Sequence, residues 1–236
     1  MPDAIFAHPR LAALYDIFDG DRDDLDAYQE IITELGAHDI LDVGCGTGTL
    51  ALRLAETGHT VTGYDPAEAS LTVARGKPGA DRVTWTGELP AGQFDLAVMT
   101  GNVAQVFTTD QQWHTILRDL HTRLRPGGHL VFETRRPEYR AWDEWTRDTG
   151  PDIRDVPGEG PVERRRHLTD VHLPLVSFRY TYTFPGGDTL TSDSTLRFRD
   201  RNELDHDLTT CGYAVSDVRQ APDRPARERV FLCTKP

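Results

Sequence analysis

Ile40-Leu41-Asp42-Val43-Gly44-Cys45-Gly46-Thr47-Gly48 decides how the rest of the chain is read. The apolar start reads as a buried strand, Asp39–Val43, that runs straight into glycines at 44, 46 and 48. Glycine admits positive φ and lets a ligand approach the backbone closely. The helix expected at Thr49–Glu56 adds free N–H groups at its start. Asp65 follows Gly46 by 19 residues, at the end of a second expected strand, His59–Tyr64. A carboxylate there can accept both hydroxyls of a ribose. Loop and carboxylate together describe a nucleoside-containing cofactor at the carboxyl edge of a parallel sheet.

Outward from this stretch, strands fit Arg82–Thr86, Phe94–Thr100 and His129–Thr134. Asp110–Leu124 reads as an amphipathic helix with Trp113, Ile116, Leu117, Leu120 and Leu124 on one face. Strands alternating with helices over 37–134 predict a parallel sheet with right-handed crossovers. Upstream, residues 1–35 are acidic and helical in pattern, with Leu25, Tyr28, Ile31, Ile32 and Leu35 at helical spacing before Gly36. Downstream the pattern changes. Residues 138–166 are polar, and Leu175–Phe184 and Thr189–Arg199 read as a hairpin turning at Pro185-Gly186-Gly187. Asp200 and Glu203 form a D-x-x-E start for helix Arg201–Cys211, and strands at Tyr213–Val218 and Arg229–Thr234 close the chain.

Asp42-Val43-Gly44-Cys45-Gly46-Thr47-Gly48, Gly63-Tyr64-Asp65-Pro66, Phe94-Asp95-Leu96-Ala97-Val98 and Leu124-Arg125-Pro126-Gly127-Gly128 occur in this order. The set strongly resembles the class I S-adenosylmethionine-dependent methyltransferases of small-molecule type, over roughly residues 37–135 and the closing strand pair. The resemblance implies an α/β fold: a three-layer, doubly wound, mostly parallel seven-stranded sheet, Rossmann-like, with its last strand antiparallel and an antiparallel hairpin inserted. It implies a single domain over 1–236, comprising an N-terminal helical segment (1–36), a cofactor-binding core (37–137), an inserted lid or hairpin (138–200) and a closing helix and strand pair (201–236).

The same resemblance implies the cofactor S-adenosyl-L-methionine, with S-adenosyl-L-homocysteine as product. Asp42, Gly44, Cys45 and Gly46 would surround its methionine part. Asp65 would hold the ribose, with Pro66 beside the adenine and Gly87, Glu88 and Leu89 bordering it. Thr100, Gly101 and Asn102 would end the fourth strand near the methionine amino group. Tyr15, in Leu14-Tyr15-Asp16, resembles a tyrosine that small-molecule members fold over the cofactor. The reaction expected is methyl transfer by in-line displacement to an oxygen, nitrogen or carbon nucleophile of a small organic acceptor. The family has no universal catalytic residue, and none is assigned here.

Ligands of open α/β sheets bind beyond the carboxyl ends of the strands. Asn102, Gln105, Glu133, Arg135, Arg136, Trp142 and Trp145 follow those ends and are the acceptor-pocket candidates. The two tryptophans, three apart, equally suit anchoring a helix on the core. In the hairpin, Phe178, Tyr180, Tyr182 and Phe184 fall on one face and Arg179, Thr181 and Thr183 on the other. Arg179 and Tyr180 are the lid's candidates for walling the pocket, the alternative being an aromatic face given to the core or to a homodimer interface.

Composition bounds the rest. Of 236 residues 38% are hydrophobic, enough for a sizeable core, and no apolar run approaches a membrane span. Net charge is −12, from 26 basic and 38 acidic residues, which disfavours a nucleic-acid partner. Met1–Phe6 shows no secretory pattern, and Cys45, Cys211 and Cys233 are too scattered for a disulfide framework, so a cytoplasmic protein is expected. No metal site is expected. Asp19, Asp21, Asp23 and Glu30 have calcium-loop spacing, but Asp24 stands where that loop needs glycine. Two rivals share the glycine loop. A nicotinamide-dependent oxidoreductase would usually show G-x-G-x-x-G rather than G-x-G-x-G, and the intact Gly44, Gly46 and Asp65 argue against a non-catalytic S-adenosylmethionine-binding module with a decayed site.

Overall fold

The structure is a computed structural model that describes residues 2–147, 150–221 and 223–236; Met1, Asp148, Thr149 and Pro222 lie outside the described residues. In chain order the elements are α1 (Ala4–Ala7), α2 (Pro9–Ala12), α3 (Tyr15–Asp19), α4 (Asp24–Leu35), β1 (Asp39–Val43), α5 (Thr49–Glu56), β2 (Thr60–Tyr64), α6 (Glu68–Arg75), β3 (Val83–Thr86), β4 (Phe94–Met99), α7 (Asp110–Arg123) and β5 (Leu124–Arg135). They continue with α8 (Ala141–Arg147), β6 (Asp152–Val156), β7 (Gly160–His172), β8 (Leu175–Thr183), β9 (Thr189–Arg197), α9 (Arg201–Thr210), β10 (Ala214–Gln220) and β11 (Glu228–Thr234). Among the described residues no helix is long and apolar enough to cross a membrane.

Seven strands form one sheet in the order β10-β11-β5-β4-β1-β2-β3. β1 pairs in parallel with β2 and β4, β4 with β5, and β2 with β3. β11 runs antiparallel between β5 and β10, as the last strand was expected to do. Alternate residues of each central strand serve opposite cores, because successive side chains point to opposite faces. Leu41, Val43, Ala97, Met99, Leu130 and Phe132 pack under α7 and α9. Ile40, Leu96, Val98 and Val131 pack under α4 and α5. The central strands therefore read as continuous apolar runs, the mark of a sheet covered on both faces.

Helix ends follow their local chemistry. Thr109 and Gln112 form a reciprocal capping box at the start of α7. Asp200 accepts the Glu203 N–H at 2.9 Å and starts α9 as predicted, while the Glu203 carboxylate turns to Arg197 instead of completing the box.

The inserted region differs from the expected lone hairpin. It is a four-stranded antiparallel sheet, β6-β7-β8-β9. β6 and the first half of β7 lie in the stretch read as merely polar, 138–166. Val162 is the buried hydrophobic of β7, and most of that strand's other side chains are half-buried or exposed, so the alternation that betrays a strand is missing. The turn at Pro185-Gly186-Gly187 is as expected, closed by Gly187 N–H donating to Phe184 O at 2.8 Å.

The aromatic face of β8 is taken up within the chain. Tyr182 and Phe184 pack with Ile5, Leu11, Leu14 and Phe18 of the N-terminal helices. Phe178 packs on Trp142 and Trp145 of α8 with Phe198. Both tryptophans are thus helix anchors, with Trp142 edge-on to Phe198 at 4.9 Å and Trp145 edge-on to Phe178 at 5.2 Å.

Candidate cofactor and acceptor site

The turn after β1 is tied sideways to β2 before it reaches α5. Gly44 and Cys45 N–H groups both donate to Tyr64 O, at 2.8 and 3.1 Å. Gly46 has φ +54°, a left-handed conformation that costs an L-residue about 1–2 kcal/mol. Gly44 also has positive φ, and a Cβ there would lie 2.7 Å from Val103 Cγ2. A side chain at Gly44 would therefore collide with Val103, and one at Gly46 would carry left-handed strain alone.

Asp65, at the end of β2, reaches back to the loop. Its Oδ2 accepts from Gly46 N–H at 2.9 Å and its Oδ1 from Ala67 N–H at 2.8 Å. Each oxygen keeps a lone pair for a further donor. Burial raises its pKa, and the two N–H donors oppose that rise. Asp42 lies beneath the loop and is fully buried. Burial first, then the nearby Asp65 charge, push it up to about 7 against the pull of Arg22. Asp42 Oδ2 has no hydrogen-bond partner, which is costly for a buried acceptor unless something else supplies a donor. The Cys45 thiol is also pushed up, chiefly by burial.

These groups open into a cavity of about 420 Å³, within the size range of small-molecule sites. Tyr15, Asp42, Gly44, Cys45, Gly46, Asp65, Pro66, Thr100 and Gly101 line it together.

Residues 40–128 match the family model of a methyltransferase domain. Over that stretch the chain is similar to a methyltransferase domain.

The chain is 31% identical over 129 residues to glycine N-methyltransferase of Rattus norvegicus, covering 46% of this chain and 44% of that protein. It is 33% identical over 119 residues to ubiquinone biosynthesis O-methyltransferase of Bordetella avium, covering 47% and 48%. The chain thus spans about half the length of the curated relatives it matches. In fold it resembles the CcbJ methyltransferase from Streptomyces caelestis, with a TM-score of 0.74 and 20% identity over 94% of this chain and 95% of that one.

Other residues expected at the site are not part of the cavity lining. Gly87, Glu88 and Leu89 follow β3 but are not among the cavity-lining residues. Glu88 turns back on Thr86, its N–H 3.1 Å from Thr86 Oγ1, and Leu89 packs on the core under α7. Asn102, Gln105, Glu133 and Arg135 form a buried polar cluster beside the cavity. Asn102 N–H donates to Glu133 Oε1 at 2.9 Å, Tyr28 donates to the other Glu133 oxygen, and Arg135 donates to Gln105 Oε1 at 3.0 Å. Most of these polar groups bond within the cluster or to nearby backbone, although Asn102 Oδ1 is left without a partner. Arg136 pairs with Glu138 at 3.1 Å. Trp145 lies under the guanidinium groups of Arg135 and Arg166.

Within the insertion, Arg179 points outward and forms a two-pronged pair with Asp193 at 2.7 and 2.8 Å. Tyr180 packs with the N-terminal helices and under Arg164. Thr195 of β9 is the insertion's residue on the cavity wall. The N-terminal helices occupy the place expected of the hairpin lid. Phe6, Tyr15 and Arg22 come from that segment, with Phe6 and Tyr15 rings 5.4 Å apart. The acidic run read against a calcium loop surrounds this arginine, which pairs with Asp19 at 2.9 Å and Asp24 at 2.8 Å. Val106, Phe107, Gln112 and Ile116 complete the wall after β4. Sequence reading missed Phe6 and Arg22 because no local pattern marks them. Phe107 and Gln112 carried a usable signal, since they follow a carboxyl strand end.

Proposed function

We propose that the protein transfers a methyl group from S-adenosyl-L-methionine to a small organic acceptor and releases S-adenosyl-L-homocysteine. The observation that carries this reading is the backbone of Gly44–Gly46 held against the end of β2, with Asp65 bonded to Gly46 N–H at 2.9 Å on the cavity wall. The residues present fit the cofactor. Asp42 Oδ2 is a buried acceptor awaiting a donor, and the space beside Gly46 is open. When bound, the cofactor supplies an activated methyl group for in-line displacement by an oxygen, nitrogen or carbon nucleophile.

The chain's own work is then alignment and exclusion of water. Asp65 holds the ribose hydroxyls, with Pro66 beside the adenine, while Gly87, Glu88 and Leu89 stay outside the cavity lining. Asp42, Gly44, Cys45 and Gly46 surround the methionine part, and Thr100 to Asn102 form the wall near its amino group. Tyr15 closes over the cofactor from the N-terminal segment. Phe6, Val106 and Phe107 add apolar surface that suits a small acceptor. Of the acceptor candidates read from sequence, Gln105, Glu133, Arg135, Trp145 and Tyr180 act in this reading through the packing behind the walls, whereas Arg136 and Arg179 pair with the carboxylates of Glu138 and Asp193 instead.

We divide the domain into the helical segment 1–36, the core 37–137, the insertion 138–200 and the closing unit 201–236, and place the protein in the cytoplasm. The acidic balance favours a small acceptor over nucleic acid. A homodimer through the insertion would use its outward face, because the aromatic face is occupied. The test is a metabolite library screened for release of S-adenosyl-L-homocysteine. Acceptor-dependent release supports the reading, and the absence of release with every compound of a broad library argues for a binding module.

A further inference from the structure

Behind the cavity wall lies a carboxylate with no direct ion-pair partner among the described residues. Glu133, near the end of β5, is 4% exposed, and among the described residues it makes no ion pair. Its neighbour Glu228, on β11, is 2% exposed but lies 2.9 Å from Arg224 and 3.6 Å from Arg135. Burying a carboxylate is costly unless hydrogen bonds repay the lost water. Glu133 is instead surrounded by donors. Tyr28 OH gives one bond, Asn102 N–H gives another at 2.9 Å, and Asn102 Nδ2 approaches at 3.4 Å. The same Nδ2 reaches Glu228 Oε1 at 3.2 Å, so one amide group separates two buried carboxylates.

The residue these bonds converge on has an unusual backbone. Asn102 has φ +62° and follows Gly101 at φ +67°, two left-handed residues in succession. Asparagine tolerates that conformation better than most side-chain-bearing residues, yet it still carries a cost. The preceding pair, Thr100 and Gly101, line the cavity. The geometry points to Glu133 as a positioning residue: by gripping the Asn102 N–H it holds the Thr100–Gly101 turn in the path that forms the cavity wall. Tyr28 of α4 fixes the carboxylate from its far side. The inference rests on the methyltransferase reading for what the wall contacts, but the grip itself is a property of the chain.

The test uses the full chain with Glu133→Gln, Glu133→Leu and Tyr28→Phe. Glutamine keeps an oxygen to accept from Asn102 N–H, and leucine removes it. Calorimetric titration with S-adenosyl-L-homocysteine should show Glu133→Leu weakened about tenfold, with Glu133→Gln restoring most of the affinity. Hydrogen exchange at the Asn102 amide, measured by NMR without any ligand, should accelerate at least about tenfold in Glu133→Leu and stay slow in Glu133→Gln and Tyr28→Phe. If wild type binds no cofactor, the methyltransferase reading fails and amide exchange alone decides the grip. Equal loss in the glutamine and leucine variants, or a folded leucine variant with wild-type affinity and a protected amide, overturns the proposal. Should Glu133→Leu fail to fold, slow Asn102 exchange in Glu133→Gln supports it and fast exchange overturns it.

Discussion

Asp16 Oδ1 accepts a 2.5 Å hydrogen bond from Thr47 Oγ1 and so ties α3 to the glycine loop. Asp16 Oδ2 meets Lys77 Nζ at 2.6 Å on the far side. One carboxylate thus joins the N-terminal segment to two parts of the core. The same segment reaches the insertion, where Ile5 N–H donates to Ser192 Oγ at 2.8 Å and Arg10 pairs with Glu159 at 2.7 Å. It covers the cavity because both of its ends are held.

Removing that latch should loosen the cover more than the fold. Asp16 is 39% exposed, so the Lys77 pair counts for little after screening, and the Thr47 bond contributes about 1 kcal/mol. Asp16→Ala is expected to lower stability by about 1 kcal/mol and to speed cofactor release several-fold. Stopped-flow displacement of S-adenosyl-L-homocysteine measures the release, and urea denaturation the stability.

The two constrained glycines should separate stability from binding. Gly44→Ala forces a Cβ to 2.7 Å from Val103, whereas Gly46→Ala meets open space and carries only its left-handed strain. Thermal denaturation should place Gly44→Ala below Gly46→Ala. Titration of the Gly46 variant should show weakened cofactor binding that exceeds its loss of stability.

Asp42 predicts a pH dependence whose sign can be worked out. Its folded pKa is raised from 3.8 to about 7, so folding favours the protonated form. The stability it contributes is full below pH 3.8, declines above that value and is lost as pH rises through about 7. At about 1.4 kcal/mol per pKa unit the effect is at most about 4 kcal/mol. Urea midpoints should fall from pH 4 to 8 more steeply in wild type than in Asp42→Asn. Parallel curves would show that Asp42 titrates normally.

Arg179 should be dispensable. Its pair with Asp193 joins groups 49% and 61% exposed, a class of ion pair worth about 0–1 kcal/mol. Arg179→Ala is expected to leave cofactor affinity and acceptor kinetics unchanged. Trp142→Ala, which opens the core between α8 and Phe198, should cost about 3–5 kcal/mol in the same denaturation assay.

The parallel sheet and glycine loop were legible because their signals are local. Val43 passes to Gly44 within one residue, and Asp65 stands where a strand's carboxyl end had to be. The final antiparallel strand was legible from the resemblance and from the apolar run Val230–Cys233, all buried. β7 was not, because it buries Val162 and otherwise shows water mainly Arg, Glu, His and Thr. The cavity wall was only half legible. Phe6 comes from α1, whose pattern records that it buries a face and not which partner covers it, and Arg22 comes from the connection between α3 and α4, which carries no pattern. Glu133 and Arg135 were expected to meet an acceptor at a strand end, but strand position does not reveal that Tyr28, Asn102 and Gln105 reach them first.

The central claim is that Asp65 and the glycine loop hold a nucleoside-bearing sulfonium cofactor. Its most direct test is calorimetric titration of S-adenosyl-L-homocysteine into the wild-type protein and Asp65→Ala, with folding checked by circular dichroism. The account predicts micromolar-range binding by wild type, weakened by about 1–3 kcal/mol in the variant through lost hydrogen bonds to the ribose. No binding by folded wild type, or equal affinity in a folded Asp65→Ala, would contradict it.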